Sequence, residues 1–184
     1  GSELKNLCPN IESLRKGADF LEANRLSVFA SHPAHEKTTP DQTYMVGDAI
    51  MFGLKGNARP YLGEGWSIDE PGFVWLEGKQ AVMNLQIAKV PTIPVELEII
   101  SAMTLTGPGL PAAQRMRVSL NGVSLGEVSY QGAQSRTLTI PANVWVMGKN
   151  NRLQIDVPDA TKLASTYRSI LSVAVYMIKF SERP

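Results

Sequence analysis

Tyr61 to Gly78, YLGEGWSIDEPGFVWLEG, concentrates two of the three tryptophans, three glutamates, an aspartate and four glycines in a chain of 184 residues. An aromatic face can stack on the apolar C–H side of a sugar ring, while carboxylates, amides and a guanidinium hydrogen-bond its hydroxyls. Asn57, Arg59, Tyr61, Glu64, Trp66, Asp69 and Glu70 supply those groups within one short segment, and Arg168, ahead of the last strand, is expected either to meet it at one edge or to pair with a surface carboxylate. These eight residues are the candidate glycan contacts. The same composition suits a tightly turned structural corner, in which Glu64 caps backbone amides and Trp66 packs. Both readings stay open for Glu64 and Trp66.

Other chemistries find less support. The G-x-S-x-G match at Gly122–Gly126 falls within a hairpin pattern and not on a strand-to-helix turn, Ser31-His32 lies on a proline-containing loop, and no glycine loop opens a helix to cradle phosphate. Glu64, Asp69, Glu70 and Glu77 offer carboxylates for glycoside hydrolysis, which needs two at a fixed separation; a small sandwich with short loops provides little material for a deep cleft. The sequence is therefore expected to be non-catalytic, with hydrolysis at Glu64 or Glu70 as the competing reading. His32 and His35, three apart on a proline-containing loop, lack further ligands for a metal, and no cofactor is expected.

Eighteen basic against seventeen acidic residues give no global field for nucleic acid. The single Cys8 excludes an internal disulfide. Gly1-Ser2 reads as an expression scar, with no signal segment after it. The longest apolar-rich run, Ile170 to Phe180, is too short for a membrane helix, which needs about 20 apolar residues.

The elements that must position the cluster follow from periodicity. Asn10 as N-cap, with Ile11, Leu14, Ala18 and Leu21 at helical spacing, predicts an N-terminal helix. The proline-rich stretch 31–44 reads as a linker, which leaves residues 1–30 as a helical lead-in and 45–184 as one domain. Beyond Thr43 the period is two. Ala81, Met83, Leu85 and Ile87 form one apolar face; Val95, Leu97, Ile99, Met103 and Leu105 form another, opposite Glu96, Glu98 and Thr104. Met116, Val118 and Leu120 lead to Asn121-Gly122, a type I′ hairpin turn. Leu153, Ile155 and Val157 point inward, and Ile170 to Phe180, apolar on nearly both faces, reads as a central strand. Trp75, within FVWLE, and Trp145 are expected in the core. Seven to nine strands with turns every 8–12 residues predict an all-β, jelly-roll-like antiparallel β-sandwich.

The run from Gly47-Asp-Ala-Ile-Met-Phe through Tyr61–Gly78 resembles the GWS-x-x-E-x-x-G-x-W-x-x-G segment of carbohydrate-binding-module-like β-sandwich domains attached to bacterial membrane-embedded sugar and phosphoglycerol transferases. Gly65, Trp66, Ser67, Glu70, Gly72, Trp75 and Gly78 are the matching positions. The segments VSLNGVSLG from Val118, Ile140-Pro141 and GKNNRLQI from Gly148 look like its later hairpin and return strand, so the resemblance covers about residues 45 to 180. The loop Ser165-Thr-Tyr-Arg-Ser departs from it, lacking an acidic residue ahead of Arg168. The resemblance implies a non-catalytic domain that binds a cell-envelope glycan on the periplasmic or outer side of the bacterial inner membrane, its helix following a final membrane span. The alternative is a structural module docking on its own membrane domain or on a second copy.

Overall fold

The computed structural model describes residues 43–162 and 169–183. The expected N-terminal helix, Cys8, His32, His35, Tyr167 and Arg168 lie outside the described residues.

Among the described residues eleven strands form two facing sheets, a two-sheet and mostly antiparallel β-sandwich. They are β1 (Thr43–Tyr44), β2 (Ala49–Met51), β3 (Trp66–Asp69), β4 (Val74–Glu77), β5 (Gln80–Ile87), β6 (Val95–Thr104), β7 (Gln114–Leu120), β8 (Val123–Tyr130), β9 (Ser135–Ile140), β10 (Asn150–Asp156) and β11 (Leu171–Glu182). The first sheet has the order β1-β5-β10-β7-β8, with β1 parallel to β5; the second has the order β3-β4-β11-β6-β9, and β2 also pairs with β11. The count exceeds the expected seven to nine because β1, β2 and β3 are too short to show alternation. No α-helix occurs among the described residues, only 3-10 turns at Arg59–Tyr61 and Ala142–Val144.

Alternation decides which residues meet between the sheets. Met83, Leu85, Met116, Val118, Leu120, Leu153 and Ile155 face Leu76, Leu97, Ile99, Val175 and Phe180 in one continuous core. Asn121 (φ 51°) and Gly122 (φ 83°) both adopt the left-handed conformation that the type I′ turn requires. β11 is central, with β4 and β2 on one side and β6 on the other.

One expected face is broken. The β6–β11 register slips between Val175 and Ala174 and again between Val175 and Met177. Such an irregularity turns the following residues over. Thr104 is consequently buried while Met103, expected inward, is half-buried; Ser101 is buried in phase with Val95, Leu97 and Ile99. Hydrogen bonds compensate: Ser101 Oγ donates to Gly132 O at 2.8 Å, and Thr104 Oγ1 accepts from the Gly132 amide at 2.7 Å.

Candidate functional site

The Asn57–Glu70 segment is built around backbone closures. After β2, Asn57 ties its loop back to that strand, its Oδ1 accepting from Met51 N–H at 2.7 Å and its Nδ2 donating to Ala49 O at 3.1 Å. The 3-10 turn then delivers Tyr61 into the core, where it meets Tyr44 edge-on at 5.9 Å; Tyr44 meets Phe180 at 5.5 Å, and Phe180 meets Trp145 at 5.5 Å. Tyr61 is 4% exposed and burial raises its hydroxyl pKa. It is a member of an aromatic chain across the core.

Residues 62–64 run beside the lower half of β5: Gly63 N–H donates to Val82 O at 2.8 Å, and Val82 N–H donates to Glu64 O at 2.9 Å. Gly65 then carries the chain across to the other sheet. Its φ is +83°, and a Cβ there would lie 1.9 Å from Gln80 O. Glycine is the residue that fits such a close backbone approach.

Beyond Gly65, β3 is the edge strand of its sheet. Trp66 pairs with Leu76 and Asp69 with Val74, so a bulge places Trp66 and Asp69 on the same face of β3. The Trp66 ring is half-buried against Phe52, at 5.1 Å between centroids, and its Nε1–H donates to Val82 O at 2.8 Å. Arg59 reaches the same edge: its Nε donates to Asp69 Oδ2 at 2.8 Å and its guanidinium to Ser67 O at 2.6 Å. The guanidinium thereby covers an otherwise open strand edge. Glu64 points its side chain to solvent and makes its corner contacts through backbone alone.

Glu70 differs from its neighbours. Its backbone is held on both sides, the amide donating to Phe73 O at 3.0 Å and the carbonyl accepting from Leu54 N–H at 2.8 Å. The residue is 6% exposed, and Oε1 is buried without a hydrogen-bond partner. Burial raises its pKa above the ordinary 4.5. A carboxyl group whose folded pKa is raised contributes stability fully below the unfolded value, and that contribution is lost as pH rises through the folded value. Glu70→Gln is therefore expected to be more stable than wild type at neutral pH, the difference shrinking toward about pH 4. Urea midpoints across that range measure it, and an unchanged difference at all pH values would count against a protonated native carboxyl.

Thus Arg59, Trp66 and Asp69 come together at the β3 edge, Glu64 stands exposed ahead of the Gly65 crossing, Asn57 braces the adjoining loop, and Tyr61 and Glu70 are turned inward. Trp75 is buried too, on the face of β4 opposite Val74 and Leu76, with its amide donating to Ser67 Oγ at 3.0 Å. Sequence reasoning missed Phe52 as the backing of Trp66, and the loop from Gly53 to Asn57 with its exposed Leu54; the glycine pair Gly53 and Gly56 was the available signal. Among the described residues no group of three or more His, Cys, Asp or Glu is placed to hold a metal, and no helix is long and apolar enough to cross a membrane.

No family model and no curated protein sequence matches the chain. Among solved structures it is similar to BtGH115A, a family GH115 4-O-methyl-α-glucuronidase with specificity for decorated arabinogalactans, at 17% identity and a TM-score of 0.46. That match covers 84% of this chain and 20% of the enzyme, so the chain spans about a fifth of that protein. A family 35 carbohydrate binding module from Clostridium thermocellum matches at 11% identity and TM-score 0.44, over 74% of this chain and 100% of the module. The C-terminal CBM6 of LamC, a laminarinase from Zobellia galactanivorans, matches at 14% and 0.44, over 73% and 100%. At these scores the likenesses carry no functional weight.

Proposed function

We propose that this domain, with a jelly-roll-like sandwich topology, is a non-catalytic carbohydrate-binding module whose sugar-contacting edge is formed by Arg59, Glu64, Trp66 and Asp69. The observation that carries the reading is the immobilised indole. Trp66 is half-buried, backed by Phe52 and anchored through Nε1–H to Val82 O, beside an ion pair whose partners already hold each other. A ring and a charge pair ordered before a ligand arrives lose little freedom on binding, which favours weakly held polar ligands such as sugars. The guanidinium and carboxylates offer donors and acceptors for ring hydroxyls.

The non-catalytic reading is supported by the state of the carboxylates. Asp69 is engaged by Arg59, and Glu70 is buried; Glu64 is the fully exposed acid of the three. Hydrolysis by paired carboxylates would require two of them free to address one bond. The GWS-x-x-E-x-x-G-x-W resemblance supports a finer reading: a glycan-positioning domain of a membrane-embedded glycosyl- or phosphoglycerol-transferase, facing the periplasm or outer side of the inner membrane, with a cell-envelope glycan as ligand.

Titration calorimetry against a panel of cell-envelope oligosaccharides tests this. Wild type is expected to bind at least one of them, and Glu64→Ala and Arg59→Ala are each expected to weaken that binding by roughly tenfold, the usual effect of losing a charge-assisted hydrogen bond. Folded wild-type protein that binds none of the panel would sink the proposal. Glu64→Ala is at an exposed position whose side chain makes no hydrogen bond among the described residues, which separates it from Trp66→Ala, where lost packing would confound the result; Arg59→Ala also removes the bonds to Asp69 and Ser67 O, so its fold is verified by thermal unfolding.

A further inference from the structure

The end of the sandwich opposite the Gly65 crossing has an unusual surface. Pairing fixes which loops gather there: Tyr44 lies beside Ile87, Asn150 beside Gln86, and Val95 between Ile140 and Glu182. The loops 45–48, 88–94, 121–122 and 141–149 therefore share one end with residues 182–183, and Arg183 N–H donates to Pro94 O at 3.1 Å. Seven large apolar side chains are exposed among the described residues, and five of them, Met45, Ile93, Val123, Val146 and Met147, sit at this end. Met45 is 62% and Met147 63% exposed.

This apolar tip is held in place. Asn151, fully buried, accepts from Val146 N–H at 2.8 Å and donates to Val146 O at 2.9 Å. Asn121 Nδ2 donates to Val144 O and to Asn151 Oδ1, each at 2.8 Å, which ties the hairpin bearing Val123 to the same loop. Met45 follows β1, Ile93 precedes β6, Val123 opens β8, and Val146 and Met147 lie in the loop before β10. Around them stand exposed Lys89, Lys149, Arg152 and Arg183 against exposed Asp48 and Glu182, so the end is net basic in a chain whose total charge is +1. Isolated exposed apolar residues are ordinary; five gathered at one end among cations mark an interaction surface.

We propose that this end seats in the interfacial layer of an anionic lipid bilayer. Met45, Val146 and Met147 enter the headgroup–acyl boundary while Lys89, Lys149 and Arg183 face lipid phosphates, a combination in which apolar burial and electrostatic attraction reinforce each other. Charge complementarity selects the anionic membrane over a neutral one. In this pose the Trp66 edge lies toward the end of the sandwich away from the lipid.

Co-sedimentation with vesicles of equal parts phosphatidylglycerol and phosphatidylcholine, free of glycolipid, tests the proposal independently of glycan binding. Wild type is expected to pellet with these vesicles and far less with pure phosphatidylcholine. A Met45→Glu/Met147→Glu variant should lose roughly tenfold or more of that affinity, and Lys89→Ala/Lys149→Ala a similar factor at low salt. Both pairs are exposed, and thermal unfolding verifies that the variants fold. Wild type left in the supernatant would overturn the proposal, as would vesicle binding indifferent to the methionine pair. Sedimentation velocity without lipid adds a third arm: self-association abolished by the methionine substitutions, with no vesicle binding, would assign the surface to a second copy of the chain instead.

Discussion

Gly65→Ala is expected to destabilise the domain by about 2–5 kcal/mol, a large share of the stability of a marginal domain. Two effects add. Alanine at φ +83° carries a left-handed penalty of about 1–2 kcal/mol, and its Cβ would stand 1.9 Å from Gln80 O and 2.6 Å from Ala81 Cα. Both obstacles are backbone atoms of β5, which is paired to β10 along its length and has no room to retreat, so the overlap adds roughly another 1–3 kcal/mol. Gly78→Ala is the control. Its φ is +88° but nothing lies within 4 Å of the added Cβ, so it should show the conformational penalty alone. Urea denaturation of both variants measures the difference; equal losses would mean that the corner relaxes around the methyl group.

Asn151→Ala is expected to cost on the order of 3 kcal/mol. The side chain is wholly buried and links three segments: Nδ2 donates to Leu85 O at 3.2 Å and Val146 O at 2.9 Å, while Oδ1 accepts from Val146 N–H and from Asn121 Nδ2. Alanine removes these bonds, and the longer one from Nδ2 to Lys149 O, at once and leaves the Val146 amide without its partner; an unsatisfied buried group costs about 1–3 kcal/mol by itself. The loss should be local as well as global. Hydrogen exchange at residues 145–149 should accelerate more than exchange in β6 or β11, because the loop depends on Asn151 while those strands are held by their own ladders. A fall of less than about 1 kcal/mol would indicate that water substitutes for the amide.

The strands with clean alternation were legible because one face of each is covered and the other is not. β5, β7 and β10 bury the residues their period assigns, and the Asn121-Gly122 turn has the backbone that its composition implies. Periodicity failed at β6, where a register slip with β11 put Thr104 rather than Met103 inside; a slip is a property of the pair and leaves no trace in one strand's sequence. The candidate site was legible in composition and less so in role. Trp66 is anchored on Val82, sixteen residues away, and Asn57 spends its amide on β2. Tyr61 looked like a ligand platform because its neighbours are polar, yet the 3-10 turn at Arg59–Tyr61 rotates it into the core. The corner reading, raised from sequence for Glu64 and Trp66, describes Trp66, which packs on Phe52 and bonds to Val82 O, whereas Glu64 turns its side chain to solvent; Gly65, Tyr61 and Asn57 serve the same corner.

The central place of β11 governs when this domain can form during synthesis. The second sheet has β4 and β2 on one side of β11 and β6 on the other, so neither half can close until residues 171–182 have left the ribosome. Up to that moment the apolar faces of β4 and β6 have no partner strand between them, although all ten other strands are already present. From the emergence of β4 and β6 until β11 follows, the nascent chain therefore carries an open hydrophobic slot, a state prone to aggregation, and its pairing of residues 49–51 with 177–179 is of the long-range kind that slows folding. Assembly is consequently concentrated in one late event, the insertion of a dozen residues into a gap that the rest of the molecule has been holding open.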